Sequence, residues 1–253
     1  METYSITLWL FGLALLMTLI LRAKSGGLFL HFPLFYSYIA YTFSGSLITF
    51  VIYRLRPGSY PTSYWFYFLI NLLAEFAVLV EISDHVFKPY PAIRQFGRFL
   101  TICISTLFFI LYILPSFLQF RPSSLALLDF SLRTSLTKMV IIVALGAAAR
   151  YYRLPLGRNI AGLMMGFALY LGIYIVSLAA AQIFGKVLYA AIFRFMLPLG
   201  SILCLLAWTV AMWQFEVIPR TSWKLGEPGH ETLEELSYRL SKLNTTLTRL
   251  VRK

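Results

Sequence analysis

An all-α integral membrane protein is the fold class this sequence predicts: a seven-helix bundle followed by an amphipathic heptad helix. Three observations carry the prediction. Hydrophobic residues make up 59% of the 253 residues and charged ones only 13%, against about 45–50% and 25% in soluble domains. Mean hydropathy is +0.76, more apolar surface than a soluble domain can hide and far from the polar composition of disorder. The apolar residues fall in runs near the roughly 20 residues that a helix needs to cross a bilayer core, separated by short polar breaks. In lipid such runs satisfy their backbone groups only as helices.

The first span is expected over about Ile6–Leu21. Its leading segment Met1–Ser5 holds no Lys or Arg, and no small-x-small cleavage site follows, so it reads as a retained span and not a secretory signal. The second covers about Leu28–Tyr53, the third Thr62–Ile82, the fourth Phe99–Leu118, the fifth Thr134–Tyr152, the sixth Asn159–Ile183 and the seventh Val187–Phe215. Lys138 lies within the fifth, so a six-span count, with that segment lying at the interface, is the competing topology. Pro33, Pro115 and Pro198 with Gly200 are expected to kink the second, fourth and seventh spans. Gly162 and Gly166, and Gly146 with Ala147–Ala149, offer small faces for close helix packing.

Orientation follows from Lys and Arg in short loops. With the amino terminus outside, the inner loops hold Arg22, Lys24, Lys88, Arg94, Arg98, Arg150, Arg153 and Arg158, and the outer ones Arg54, Arg56, Arg121, Arg133 and Lys186. The expected location is therefore a plasma or inner membrane with the carboxyl terminus in the cytoplasm. The net charge of +12 fits cytoplasmic loops and lipid headgroups, not nucleic acid.

Residues 1–218 form the expected bundle and 219–229 a Pro/Gly-containing linker. Residues 230–253 form the expected cytoplasmic helix. There Leu233, Leu236, Leu240, Leu243, Leu247 and Leu250 recur at spacings of 3 and 4, an a/d seam. Thr232 with Glu235 forms a capping box, acidic residues open the helix, and basic ones close it. Its face suits self-association into a homo-oligomer, docking on another membrane subunit, or rest on the inner leaflet. Asn244-Thr245-Thr246 matches a glycosylation sequon, which a cytoplasmic helix would not expose to the modifying machinery.

Ionisable groups at bilayer depth are costly, about 2.5–3.5 kcal/mol or more, and each is a functional candidate. Asn71, Glu75, Lys138 and Arg194 form the expected intramembrane polar network; it either fixes helix register or serves a ligand, ion or proton path. His31, Glu81, His85 and Cys103 fall at one depth on the inner side and are the candidate ligands of a metal or haem. Aromatic crowding over Phe29–Phe43 and Tyr64–Phe68 suits an interfacial belt or a pocket for a lipophilic ligand, quinone or pigment. Cys103 and Cys204, both in apolar runs, exclude a disulfide scaffold.

No Walker loop, GxGxxG, HExxH or GxSxG stands in a fitting context, and the seventh span has no Lys for a retinal Schiff base. The layout resembles seven-span receptors and the membrane parts of bacterial sensors in topology alone. The resulting expectation is a non-enzymatic membrane protein, a receptor-like sensor or accessory subunit acting through its heptad helix. The alternatives are a transporter, channel or proton pathway through Glu75, Arg194 and Lys138, and a metal- or haem-containing redox subunit.

Overall fold

The computed structural model describes residues 3–88, 91–108, 110, 124–151, 154, 156–184, 186–214, 237, 238 and 240–242. Among them there is no strand. Among the described residues the long helices are, in order, α1 Thr3–Ser25, α2 Pro33–Leu55, α3 Tyr60–Val86, α4 Pro91–Phe108, α5 Ser124–Tyr151, α6 Arg158–Phe184 and α7 Lys186–Ala211. Short 3-10 turns at Leu28–Leu30 and Pro57–Ser59 link the first three.

Among the described residues, five segments are long and apolar enough to cross a membrane: Ile6–Ser25, Pro33–Leu55, Pro57–Val86, Phe130–Tyr151 and Arg158–Ala180. The apolar stretches described in α4 and α7 are shorter, Gly97–Leu107 and Phe195–Ala211. The outer surface is apolar as well as the core, and some polar groups lie inside. Leu10, Ile48, Phe66, Val140, Met165 and Val210 face outward, while Glu75, Lys138, Thr134, Ser135 and Asn159 are buried. Such helices are compatible with a lipid surround, where apolar side chains gain nothing by turning inward.

Local chemistry explains the boundaries. Gly27 stands at φ +64°, left-handed backbone that glycine adopts without penalty, and it turns the chain out of α1. Pro33 does not kink a continuous Leu28–Tyr53 helix. It is the first residue of α2, because its fixed φ and missing N–H suit a first turn; the stretch before it closes into the 3-10 turn. Arg56, preceding Pro57, is extended at φ −142°, as the proline ring demands, and ends α2. Pro198 lies inside α7, which continues through it. Pro115 lies outside the described residues.

The helices close into a ring. Adjacent contacts run α1–α2, α2–α3, α3–α5, α5–α6, α6–α7 and α7–α1, with α3 also touching α6 and α4 packed on α3. The closest approach is α6 on α7: a Cβ on Gly162 would overlap Ala211, and one on Gly166 would overlap the Trp208 ring. Gly146 differs, since a Cβ there would meet only Met164 Cε at 3.6 Å. Trp208 anchors the middle, with ring centroids 4.8 Å from Phe167 and 5.2 Å from Phe35. Its indole N–H donates to the Leu163 carbonyl.

Stacking of Trp9 on Phe50, at the start of α1 and the end of α2, marks one end of the bundle. The other end gathers the end of α1, the start of α2, the end of α3, the start of α6 and the end of α7 through contacts described below.

Candidate functional site

Inside the ring lies a cavity of about 330 Å³, within the range of small-molecule sites. Six helices wall it. Leu16 comes from α1, Thr42 from α2, Glu75 from α3, Lys138 from α5, Tyr170 from α6 and Cys204 from α7; α4 contributes none of the described lining. The polar lining arises from stripes of helical spacing. Ser131, Thr134, Ser135 and Lys138 descend one face of α5, and Tyr64, Phe68, Asn71 and Glu75 one face of α3. Residues three or four apart share a helix face.

One hydrogen-bonded chain crosses the cavity wall. The Thr42 hydroxyl donates to Asn71 Oδ1 at 3.3 Å, and Asn71 Nδ2 donates to Glu75 Oε1 at 3.0 Å. Lys138 Nζ donates to Glu75 Oε2. Glu75 and Lys138 are only 6% and 5% exposed, so each charge depends on the other for compensation. Of the expected network, Asn71, Glu75 and Lys138 thus meet across α3 and α5. The Arg194 side chain lies outside the described residues.

Several lining residues lie outside the expected polar network. Tyr38, Tyr170 and Cys204 stand within electrostatic reach of Glu75, and Trp208 and Ser201 line the α7 wall. The signal that finds the α5 members is the polar stripe at spacings 3, 1 and 3 leading to Lys138. Tyr38 belongs to the aromatic crowding of the second span, expected as a belt or a pocket wall; Tyr170 carries no such mark, because a lone tyrosine in an apolar helix reads as packing.

The metal candidates take up other work. Glu81 accepts the backbone N–H groups of Leu34 at 3.0 Å and Phe35 at 2.8 Å. It caps the first turn of α2, where Phe32 supplies no side-chain cap, and its charge suits the positive end of the helix dipole. His85 shares a 2.9 Å hydrogen bond between Nδ1 and its own helix's Glu81 carbonyl, and stacks on Phe32. His31 Nδ1 approaches the Gly27 carbonyl at 3.3 Å. Cys103 is exposed on α4. Among the described residues no group of three or more His, Cys, Asp or Glu is placed to hold a metal ion. Nearby, Arg94 of α4 donates from both Nε and Nη2 to the Asp84 carboxylate, which raises its guanidinium above the ordinary value.

At the same end the last carbonyls of α7 are gripped from two sides. Arg22 Nε donates to the Trp213 carbonyl at 2.6 Å and its guanidinium lies over the Trp213 ring. Asn159 Nδ2 donates to Ala211 at 2.7 Å and Gln214 at 2.9 Å, and Arg158 to Val210 at 3.1 Å. These are the groups a helix end leaves unsatisfied.

Of the heptad leucines only Leu240 is described. It is 2% exposed, within a helical stretch whose Ser237, Tyr238, Ser241 and Lys242 face out. Leu233, Leu236, Leu243, Leu247 and Leu250 lie outside the described residues. The chain matches no protein-family model, no curated protein and no solved structure.

Proposed function

We propose that this chain is a non-enzymatic, receptor-like membrane sensor. In this reading all seven helices cross the bilayer, a small molecule occupies the central cavity, and its presence is passed through α7 to the heptad helix at the cytoplasmic end. The lipid bilayer is the constant partner, and a second copy or another membrane subunit is the partner of the heptad.

The observation that carries the reading is the position of α7. It lines the cavity with Leu197, Ser201, Cys204, Leu205 and Trp208. Its final carbonyls, just before the linker, are held by Arg22, Arg158 and Asn159. A shift of α7 in response to occupancy changes those hydrogen bonds, and the segment that follows is the only long extramembrane stretch in the sequence. Leu240, 2% exposed, packs within the chain itself, so in this reading the seam passes from an internal contact to a partner.

The test fills the cavity artificially. Ser201→Phe mimics occupancy from the α7 wall. Hydrogen exchange of the amides at 211–214 and of residues 230–253 is then compared with wild type in detergent. A change of several-fold in both stretches supports the sensor. Unchanged exchange in a variant of undiminished thermal stability removes it.

A second reading rests on the buried Glu75–Lys138 pair, since paired charges at membrane depth often mark an ion or proton path. Flux through liposomes that is lost in Glu75→Gln would favour it, and absence of flux in the wild type would end it.

A further inference from the structure

We propose that the cavity selects an uncharged, flat, carbonyl-bearing ring compound, a hydrogen-bond acceptor; the inference rests on the ligand site of the reading above and names its chemistry.

Charge comes first. Glu75 and Lys138 neutralise each other, so the site offers no net charge. A charged ligand would have to break a buried pair and leave one member uncompensated. Shape comes second. Tyr64, Tyr67 and Phe68 form one wall, Tyr170 and Tyr174 stack at 5.7 Å on another, and Trp208 closes a third. Aromatic faces of this kind favour a planar ring.

The hydrogen-bond census decides polarity. Most lining protons are already committed. Thr42 donates to Asn71, and Asn71 to Glu75. Thr134 and Ser135 donate to the Phe130 and Ser131 carbonyls, Ser201 to Leu197, and Trp208 to Leu163. Both oxygens of Glu75 are engaged. The Tyr38 and Tyr170 hydroxyls make no hydrogen bond to another described residue, and Lys138 spends one of its three N–H donors on Glu75. Tyr38 is 8% exposed and lines the cavity. A buried donor without an acceptor costs more than a spare lone pair on an oxygen that already donates. The uncommitted groups are therefore donors, and a carbonyl oxygen reaching between Tyr38, Tyr170 and Lys138 satisfies them.

Three tricyclic probes of one shape test this: 9-fluorenone, which only accepts; carbazole, which only donates; and fluorene, which does neither. Binding is measured by calorimetry on the full-length protein in detergent, with a Tyr38→Phe/Tyr170→Phe double variant as comparison. That variant keeps both rings, and its unliganded melting temperature confirms an intact fold. The expected result is about tenfold tighter binding of fluorenone than of fluorene or carbazole, with the preference lost in the double variant. Equal affinity for the three, a preference for carbazole, a preference that survives in the double variant, or no binding by any probe overturns the acceptor assignment. Absence of the preference in the wild-type protein leaves the sensor reading to stand or fall on exchange in Ser201→Phe, which needs no ligand, so the two failures are distinguishable.

Discussion

At the scale of single residues, the buried Glu75–Lys138 pair governs the interior. Removing one partner leaves the other charged without compensation, which costs roughly 3–5 kcal/mol in buried pairs, whereas replacing both with apolar groups is often neutral. Glu75→Gln alone is therefore expected to lower the thermal unfolding midpoint in detergent sharply. Glu75→Leu with Lys138→Met is expected to restore most of the loss. A double variant as unstable as the single one would show that these side chains hold the fold through contacts other than their mutual charge. The same scale shows how sequence position misleads. Glu81 and His85 look like a ligand pair because they are one turn apart, but spacing says nothing of what the carboxylate faces across the chain. It faces the open amides of Leu34 and Phe35 on α2, 47 and 46 positions away, a relation only the folded bundle creates.

At the scale of helices, the α6–α7 seam rests on two glycines. Gly166→Ala pushes a methyl into the Trp208 ring, and overpacking of this kind costs about 1–3 kcal/mol. Gly146→Ala meets only a methionine tip at ordinary contact distance, and alanine is the better helix former by about 0.8–1 kcal/mol. Denaturation of the two variants should diverge in sign, the first destabilised and the second unchanged or stabilised. If both behave alike, α6 and α7 do not approach as closely as the structure has them. From sequence alone the two small-residue faces are equivalent, since Gly146–Ala149 and Gly162/Gly166 differ only in the neighbour each meets. The helical character of the chain was legible because apolar runs of bilayer length admit little else; the starts of α4 at Pro91 and α5 at Ser124, ahead of the expected Phe99 and Thr134, were not. The entry of α2 was not, because Pro33 breaks an otherwise unbroken apolar run, and a proline read in isolation can be a kink or a start. The Asn71–Glu75–Lys138 association was legible from the cost of burying charge. The Tyr170 and Cys204 lining was not, because the ring that turns those faces toward Tyr38, Tyr64 and Tyr67 follows from tertiary closure.

At the scale of the whole molecule, the proposed sensor requires the segment after α7 to find an apolar partner surface. Leu240→Glu together with Leu247→Glu puts two charges on the leucine seam. The expected outcome is loss of self-association, or of partner capture, in detergent sizing and crosslinking. Unchanged assembly would leave the seam without the role assigned to it. The ring itself explains why α4 stands apart: six helices suffice to enclose the cavity, and α4 is fastened to the flank of α3, partly through Arg94 and Asp84.

The ion pair also has a history in time. Glu75 and Lys138 are 63 positions apart, and at about 5–20 residues per second of synthesis the carboxylate waits roughly 3–13 s for its counterion. During that interval the Glu75 carboxylate has no partner cation from α5. A nascent chain halted after α4 carries a half-built centre, a natural point at which quality-control proteases could distinguish unfinished copies from finished ones.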